Sequence, residues 1–377
     1  MSANDLMASR THHETALVRS VPGNAGRTEV VCALIRRHAM DVPIVGLKTT
    51  SPRPGERLED AAGDGFILQE ELERRSSRDT SRMLRAGAFK AFWLQAQDSR
   101  LLAGLDALIA SIPAGTAIVC DSDSARAFIE PGILIVVRHS SNGPMDENGA
   151  ALVNAADLRC SFDGHCLDFR PDGLAFVGGR WLVRQNASAI ILSGGQSTRI
   201  GLDKSMLSYR GKSLIGHIAD QLVPMFHSVA ISTNEPGKYE FLRLPMVPDI
   251  RPGLGPLMGI ASALESSESE LCFVIGCDIP TVNFRLVNRM LMMAEDHDIV
   301  MPRSADGRFE PLFAVYRRSV AAPALEILEA GGRRIVDLFG RVRVSFADFD
   351  GGDWYKNINT MDDYLELPGS DRTTFGS

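Results

Sequence analysis

The sequence predicts an α/β protein of two domains, 1–186 and 187–377, the second built on a mostly parallel sheet. Three observations lead there. A chain of 377 residues is too long for one ordinary hydrophobic core. Apolar runs of buried-strand length recur along it and alternate with stretches of helical periodicity. The third is the stretch from Ala189 to His217. There an apolar run, Ala189-Ile190-Ile191-Leu192, breaks at Ser193-Gly194-Gly195 and is followed by Arg199, Gly201 and Lys204. The glycines let the backbone turn tightly and approach a ligand with no Cβ in the way. A strand, a Gly-rich turn and converging cations make a place to hold a polyphosphate. An ordinary solvated loop between strand and helix has the same composition, and the turn alone does not separate the two.

Bulk properties exclude several classes. Apolar residues at 45% and charged residues at 23% are globular values, which rules out wholesale disorder. A net charge of -7 argues against nonspecific nucleic-acid binding, although local basic patches can still hold phosphate. The six cysteines are scattered and read as thiols in a reducing compartment. Cys160, His165 and Cys166 come without a fourth ligand at zinc-site spacing. The first 16 residues lack an apolar core of signal length, and no run approaches the ~18 apolar residues of a membrane span. A cytoplasmic protein with no membrane partner is expected.

In chain order, Thr15–Val21 reads as a strand, 22–28 as a loop, Glu29–His38 as a helix and Val42–Lys48 as a second strand. Aligned on Gly26-Arg27-Thr28, the loop resembles a degraded P-loop, with Val21 at the first glycine and Arg27 at the lysine. Asp79–Ala88, the strand Ala117–Asp121 that ends on an acid, and the strand Ile133–Val137 follow. This layout resembles the molybdopterin-guanine dinucleotide biosynthesis adaptor, a P-loop protein. The resemblance implies an adaptor, and the altered loop residues imply that it does not hydrolyse GTP. An α/β domain with no nucleotide chemistry is the other reading. From Ser140 to Gln185 the hydrophobic pattern thins and turn signals crowd, as expected of a domain's trailing end and a connector.

Beyond His217, strand and helix alternate, and motifs fall at strand ends, where ligands bind in such sheets. Ser228–Asn234 finishes on Asn234 and Leu244–Asp249 on Asp249. Gly255-Pro256-Leu257 opens a helix whose N-terminal amides suit an anion. Leu271–Pro280 is an almost wholly apolar strand that delivers one carboxylate, Asp278. Magnesium binds nucleotides through one or two carboxylates plus phosphate oxygens, so Asp278 reads as the metal ligand, with Lys204 and Arg199 as phosphate clamps. A helix N-cap before Pro280 is the structural alternative for Asp278.

The segment Leu192-Ser193-Gly194-Gly195-Gln196-Ser197-Thr198-Arg199-Ile200-Gly201-Leu202-Asp203-Lys204 resembles the signature of the molybdenum cofactor guanylyltransferases. Only Ser193 for Ala and Ile200 for Met depart from the family pattern, and the similarity continues as far as residue 366. It implies a Rossmann-like, GT-A-like nucleotidyltransferase with Mg2+ as cofactor and with GTP and molybdenum-molybdopterin as substrates. Molybdoenzymes or insertion chaperones would receive the product. GTP would be held by Leu192, Ser193, Gly194, Gly195, Lys204, Asn234, Asp249 and Asp278. Gly255, Pro256, Leu257, Glu310, Asn357 and Asn359 would line the acceptor side. Turn-forming asparagines and a helix cap at Thr360 are the structural alternative for the last segment. Arg333 and Arg334 could meet the acidic cofactor or form a solvated basic loop. Relatives that transfer CMP carry Ala-Ala-Gly where this chain has Ser193-Gly194-Gly195, so GTP is expected over CTP. A CTP-using or sugar-phosphate nucleotidyltransferase, and a carrier without chemistry, are the competing functions.

Overall fold

The computed structural model describes residues 10–21, 26–52, 65–140, 145–193, 203–349, 357–358 and 360–370. Contacts divide the chain into two units, Met1–Val183 and Arg184–Ser377. The division falls slightly before the 186/187 boundary because the first strand of the second unit already starts at Gln185. The Gln185 N–H donates to the Met225 carbonyl at 2.7 Å and its side chain donates to Asn288 at 2.9 Å.

The first unit runs β1 (Arg10–Val21), α1 (Arg27–His38), β2 (Ile44–Thr50), β3 (Phe66–Glu70), α2 (Asp79–Arg85), β4 (Lys90–Ala96), α3 (Asp98–Ser111), β5 (Ala117–Asp121) and β6 (Ile129–His139). It ends with α4 (Glu147–Ala155), β7 (Leu158–Phe162), β8 (Leu167–Asp168), β9 (Leu174–Val177) and β10 (Arg180–Val183). Its main sheet has the order β3-β4-β2-β5-β1-β6-β7-β8 and is parallel except where β3 and β8 join. Alternate residues of β1 serve opposite faces, as a strand requires. Ala16 and Val18 pack with α1 and α2 (Val30, Leu34, Met83), and Leu17 packs with α3 (Leu101, Leu105). At the β1 bulge Gly132 has no substitute, since a Cβ there would lie 2.1 Å from the His13 carbonyl oxygen.

The segment from Ser140 to Gln185 is more than a connector. Its strands are short and half-exposed, which thins the pattern, yet Cys160, Leu174 and Trp181 are buried in the core beneath α1. Trp181 is 1% exposed, donates its indole N–H to the Ile118 carbonyl at 3.2 Å and meets the edge of His38.

The second unit runs β11 (Gln185–Leu192), β12 (Ser208–Tyr209), β13 (Lys212–Ser213), α5 (Leu214–Leu222), β14 (Phe226–Ser232), β15 (Met246–Val247), α6 (Pro256–Ser266) and β16 (Leu271–Gly276). Then come α7 (Phe284–Met293), β17 (Ile299–Ser304), β18 (Phe313–Arg317), α8 (Ala321–Glu329), β19 (Val344–Phe349) and α9 (Met361–Glu366). The seven-stranded sheet has the order β15-β14-β11-β16-β18-β17-β19. Only β18 runs antiparallel to its neighbours. Ile191 and Phe273 face α5 and α7, whereas Ile190 and Val274 face α6 and α8. No helix among the described residues is long and apolar enough to cross a membrane.

Trp181→Ala should therefore destabilise the first unit by about 3–5 kcal/mol, the cost of emptying a buried aromatic site. Urea unfolding followed by circular dichroism checks this, and a loss under 1 kcal/mol would show that the segment is peripheral.

Candidate active site

Four parallel strands of the second unit, β15, β14, β11 and β16, place their C-terminal ends along one edge of the sheet. Because β18 runs the other way, its N-terminal end reaches the same edge. Backbone hydrogen bonds then fix the loops to one another. The Ser193 N–H donates to the Ser232 carbonyl at 2.9 Å and the Cys277 N–H to Leu192 at 3.1 Å. Likewise Gly276 donates to Leu312 at 2.7 Å and Ile358 to the Asp278 carbonyl at 3.0 Å. The edge thus gathers Leu192, Ser193, Asp278, Glu310 and Asn357 from distant parts of the sequence.

Asp278 is not a helix cap. That role belongs to Asn283, whose side chain accepts from the Leu286 N–H at 3.1 Å. Burial raises the Asp278 carboxyl above its ordinary range; a backbone N–H and Lys204 oppose this, and the charge of Glu310 adds to it. Glu310 is itself fixed, accepting from the Leu312 N–H at 3.0 Å and from the Asn357 amide at 2.9 Å. The neighbouring Cys277 thiol is pushed up to about 12 by burial, so it stays protonated at neutral pH and is no nucleophile. Two carboxylates near one ammonium, with one of them reluctant to ionise, form a donor set that favours a cation. No group of three or more His, Cys, Asp or Glu among the described residues makes a closed metal cage.

Asn234 and Asp249 bond each other reciprocally. The Asn234 amide donates to the Asp249 carboxylate at 2.8 Å, and the Asp249 N–H donates back at 2.9 Å. Gly255 takes φ 81° to start α6, and Pro256 occupies its first turn. Leu257 is wholly buried, so its contribution at that helix start is limited to the backbone. Thr360 caps α9 in a reciprocal pair with Asp363, as the structural alternative had it. Arg333 donates to the Leu328 and Gly332 carbonyls, and Arg334 pairs with Asp337. Gly194, Gly195, Arg199 and Asn359 lie outside the described residues.

Sequence reasoning missed Tyr239, which is 2% exposed. Its hydroxyl lies 2.6 Å from the Ser193 hydroxyl and 2.9 Å from that of Ser205. Ser205 in turn donates to Asp203 at 2.8 Å, and Asp203 is ion-paired with Lys238. The one available signal was Ser193 itself, a hydroxyl where the family pattern has Ala.

The matching family model is the MobA-like NTP transferase domain, over residues 189–344. A probable molybdenum cofactor guanylyltransferase of Clostridium perfringens is 38% identical over 191 residues, covering 48% of this chain and 95% of the relative. One from Carboxydothermus hydrogenoformans is 30% identical over 190 residues, again 48% and 95%. The chain belongs to the molybdenum cofactor guanylyltransferase family. A solved structure of molybdopterin-guanine dinucleotide biosynthesis protein A from Archaeoglobus fulgidus is 25% identical, with TM-score 0.41, covering 47% of this chain and 94% of that one. The matches fall on the half of this guanylyltransferase-family chain that carries the edge described above.

The first unit holds a second charged cluster, at the C-terminal ends of β5 and β2 and the start of α1. Asp121 is fully buried and accepts from Thr28 at 3.0 Å and from Lys48 at 2.8 Å. The Arg27 guanidinium, 4% exposed, lies 3.1 Å from Asp121 and is also paired with Asp123. Burial would lower the Lys48 ammonium, but Asp121 and Asp79 outweigh it and hold it above its ordinary range. The charge of Arg27 is thus already matched by carboxylates of its own unit.

The raised Asp278 carboxyl has a consequence for stability. Ionising Asp278 costs folding free energy; the cost is absent at low pH and grows as pH rises through its folded-state titration. Asp278→Asn should therefore gain stability over the wild-type chain as pH is raised from about 4 to 7, with no gain at the acid end. Paired thermal melts across that range would show it, and a variant losing ground with rising pH would contradict it.

Proposed function

We propose that this chain transfers GMP from GTP to the terminal phosphate of molybdenum-bound molybdopterin, giving molybdopterin guanine dinucleotide and pyrophosphate. The observation that carries the reading is Asp278, a half-buried carboxylate beside Lys204 at a strand end, within a segment that spans nearly the whole length of guanylyltransferase relatives. An acceptor phosphate oxygen attacks the α-phosphorus of GTP. A new P–O bond forms, the bond from the α-phosphorus to the bridging oxygen breaks, and pyrophosphate leaves with the electron pair. The acceptor is the nucleophile, so no covalent enzyme intermediate is needed, in keeping with the protonated Cys277 thiol.

Lys204 neutralises charge on the triphosphate, with Arg199 as a second cation, and Leu192, Ser193, Gly194 and Gly195 belong to the nucleotide side of the site. Asn234 and Asp249 face the nucleoside, while Glu310, Asn357, Asn359 and the Gly255-Pro256-Leu257 helix start bound the acceptor. Magnesium suits the donor set at Asp278 and Glu310; when bound it neutralises phosphoryl charge, its remaining ligands being phosphate oxygens. Catalysis is then mainly positioning and charge compensation.

The test is purified chain with GTP, magnesium and metal-loaded molybdopterin, measuring dinucleotide and pyrophosphate. Asp278→Ala and Lys204→Ala should each lower turnover at least ~10²-fold while the protein stays folded. A hydrogen-bonding base site should favour GTP over CTP by about 10⁴-fold. Near-normal transfer by folded Asp278→Ala, or equal rates with the two nucleotides, would refute the assignment.

For the first unit we infer an adaptor that does not turn over GTP. Its support is Arg27, longer and planar where a phosphate-reaching lysine would stand, and committed to Asp121 and Asp123. With acceptor withheld, the full chain should release no inorganic phosphate from GTP above background in a malachite-green assay. Brisk release that Asp121→Asn abolishes would overturn this.

A further inference from the structure

Tyr239 lies outside every residue assigned above to nucleotide, metal or acceptor, yet its hydroxyl joins Ser193 to Ser205, the neighbour of Lys204. Ser193 directly follows β11, and Asp203-Lys204-Ser205 open the short helical turn that precedes β12. The direction of the hydrogen bonds follows from the acceptor at the far end. Asp203 as a carboxylate can only accept, and it takes both the Ser205 N–H at 3.0 Å and the Ser205 hydroxyl at 2.8 Å. Ser205 has then spent its proton, so its oxygen accepts from Tyr239 at 2.9 Å. Tyr239 has spent its own in turn, and accepts from Ser193 at 2.6 Å. The relay runs Ser193 to Tyr239 to Ser205 to Asp203, each link polarised toward the carboxylate. Lys238, next to Tyr239 in sequence, closes the far end by pairing with Asp203.

The ring of Tyr239 is packed in the core formed by β11, α5 and β14, where Ile191, Ile215 and Ile231 belong to the same cluster. Its hydroxyl is thus a fixed point, and Ser193 and Ser205 are both hung on it. Lys204 sits between the two residues, Asp203 and Ser205, that complete the relay. We propose that Tyr239 is a positioning residue for nucleotide binding. It holds Ser193 and Ser205, and with Ser205 the adjacent Lys204, at a fixed separation before GTP arrives, so that bringing these groups together is not charged against binding. This rests on the GTP reading of the site above.

Tyr239→Phe in the full chain removes one hydroxyl and leaves the ring in the core. Equilibrium binding of GTP with magnesium is measured first by calorimetry, then transfer kinetics with GTP and acceptor varied in turn. Loss of a buried hydrogen bond that leaves its partners unpaired should raise Kd and KM for GTP about tenfold, with KM for the acceptor within twofold. Ser205→Ala should do the same without touching the ring. Ser193→Ala should cost less GTP affinity in the Tyr239→Phe background than in the wild-type chain, because of the two links it removes, to Tyr239 and to Cys277, the first is already broken. An unchanged GTP affinity in both single variants, fully additive losses, or equal weakening toward both substrates would overturn the proposal. A wild-type chain that binds GTP but transfers nothing would count against the activity assigned, while the binding comparison would still decide the role of Tyr239. Absence of GTP binding by the wild-type chain would overturn both.

Discussion

The second unit is organised around a carboxylate that its own surroundings disfavour. β16 is apolar and buried on both faces, so the first polar side chain after it, Asp278, emerges where water is scarce. Reversing the direction of β18 puts the loop that precedes it at the same edge, and with it a second carboxylate, Glu310. Neither group would be placed there for stability, since like charges in a poorly solvated crevice raise each other's cost. In the proposed function, cationic and phosphate partners complete the arrangement. The backbone bonds from Cys277 to Leu192 and from Ile358 to Asp278 keep the crevice in shape until they arrive.

How much of this could be read from the sequence depended on whether the relevant interaction was local. The strand from Leu271 and the helix start at Gly255-Pro256 are signalled by contiguous residues, although the strand read as Leu271–Pro280 ends at Gly276 and Asp278 lies just past it. The antiparallel turn of β18 is not local, because nothing in Phe313–Arg317 distinguishes the two directions. Tyr239 was missed for the same reason. Its partners lie 46 and 34 residues away, and a tyrosine in an exposed-looking Pro-Gly-Lys context carries no motif. The region from Ser140 to Val183 was under-read because half-buried two- to five-residue strands give almost no periodicity, although a buried tryptophan among turn signals was a clue to a core.

The two units treat buried charge in opposite ways. In the second, Asp278 is only partly compensated, and the proton affinity of its carboxyl is raised accordingly. In the first, Asp121 is more deeply buried but meets a hydroxyl, an ammonium and a guanidinium. A carboxylate so surrounded has its desolvation offset within the fold. Open compensation belongs with a site that exchanges ligands, and closed compensation with one that holds a shape.

That closure bears on mass action. A protein that binds a ligand gains stability as RT ln(1 + [L]/Kd), about 2.7 kcal/mol at a hundredfold excess over Kd. The charges around Asp121 are matched by Thr28, Lys48 and Arg27 without any such term. Under the proposed function, then, the second unit's resistance to unfolding is tuned by the nucleotide pool, whereas the Asp121 cluster of the first, with Arg27 seated on it, needs no ligand to offset its buried charge.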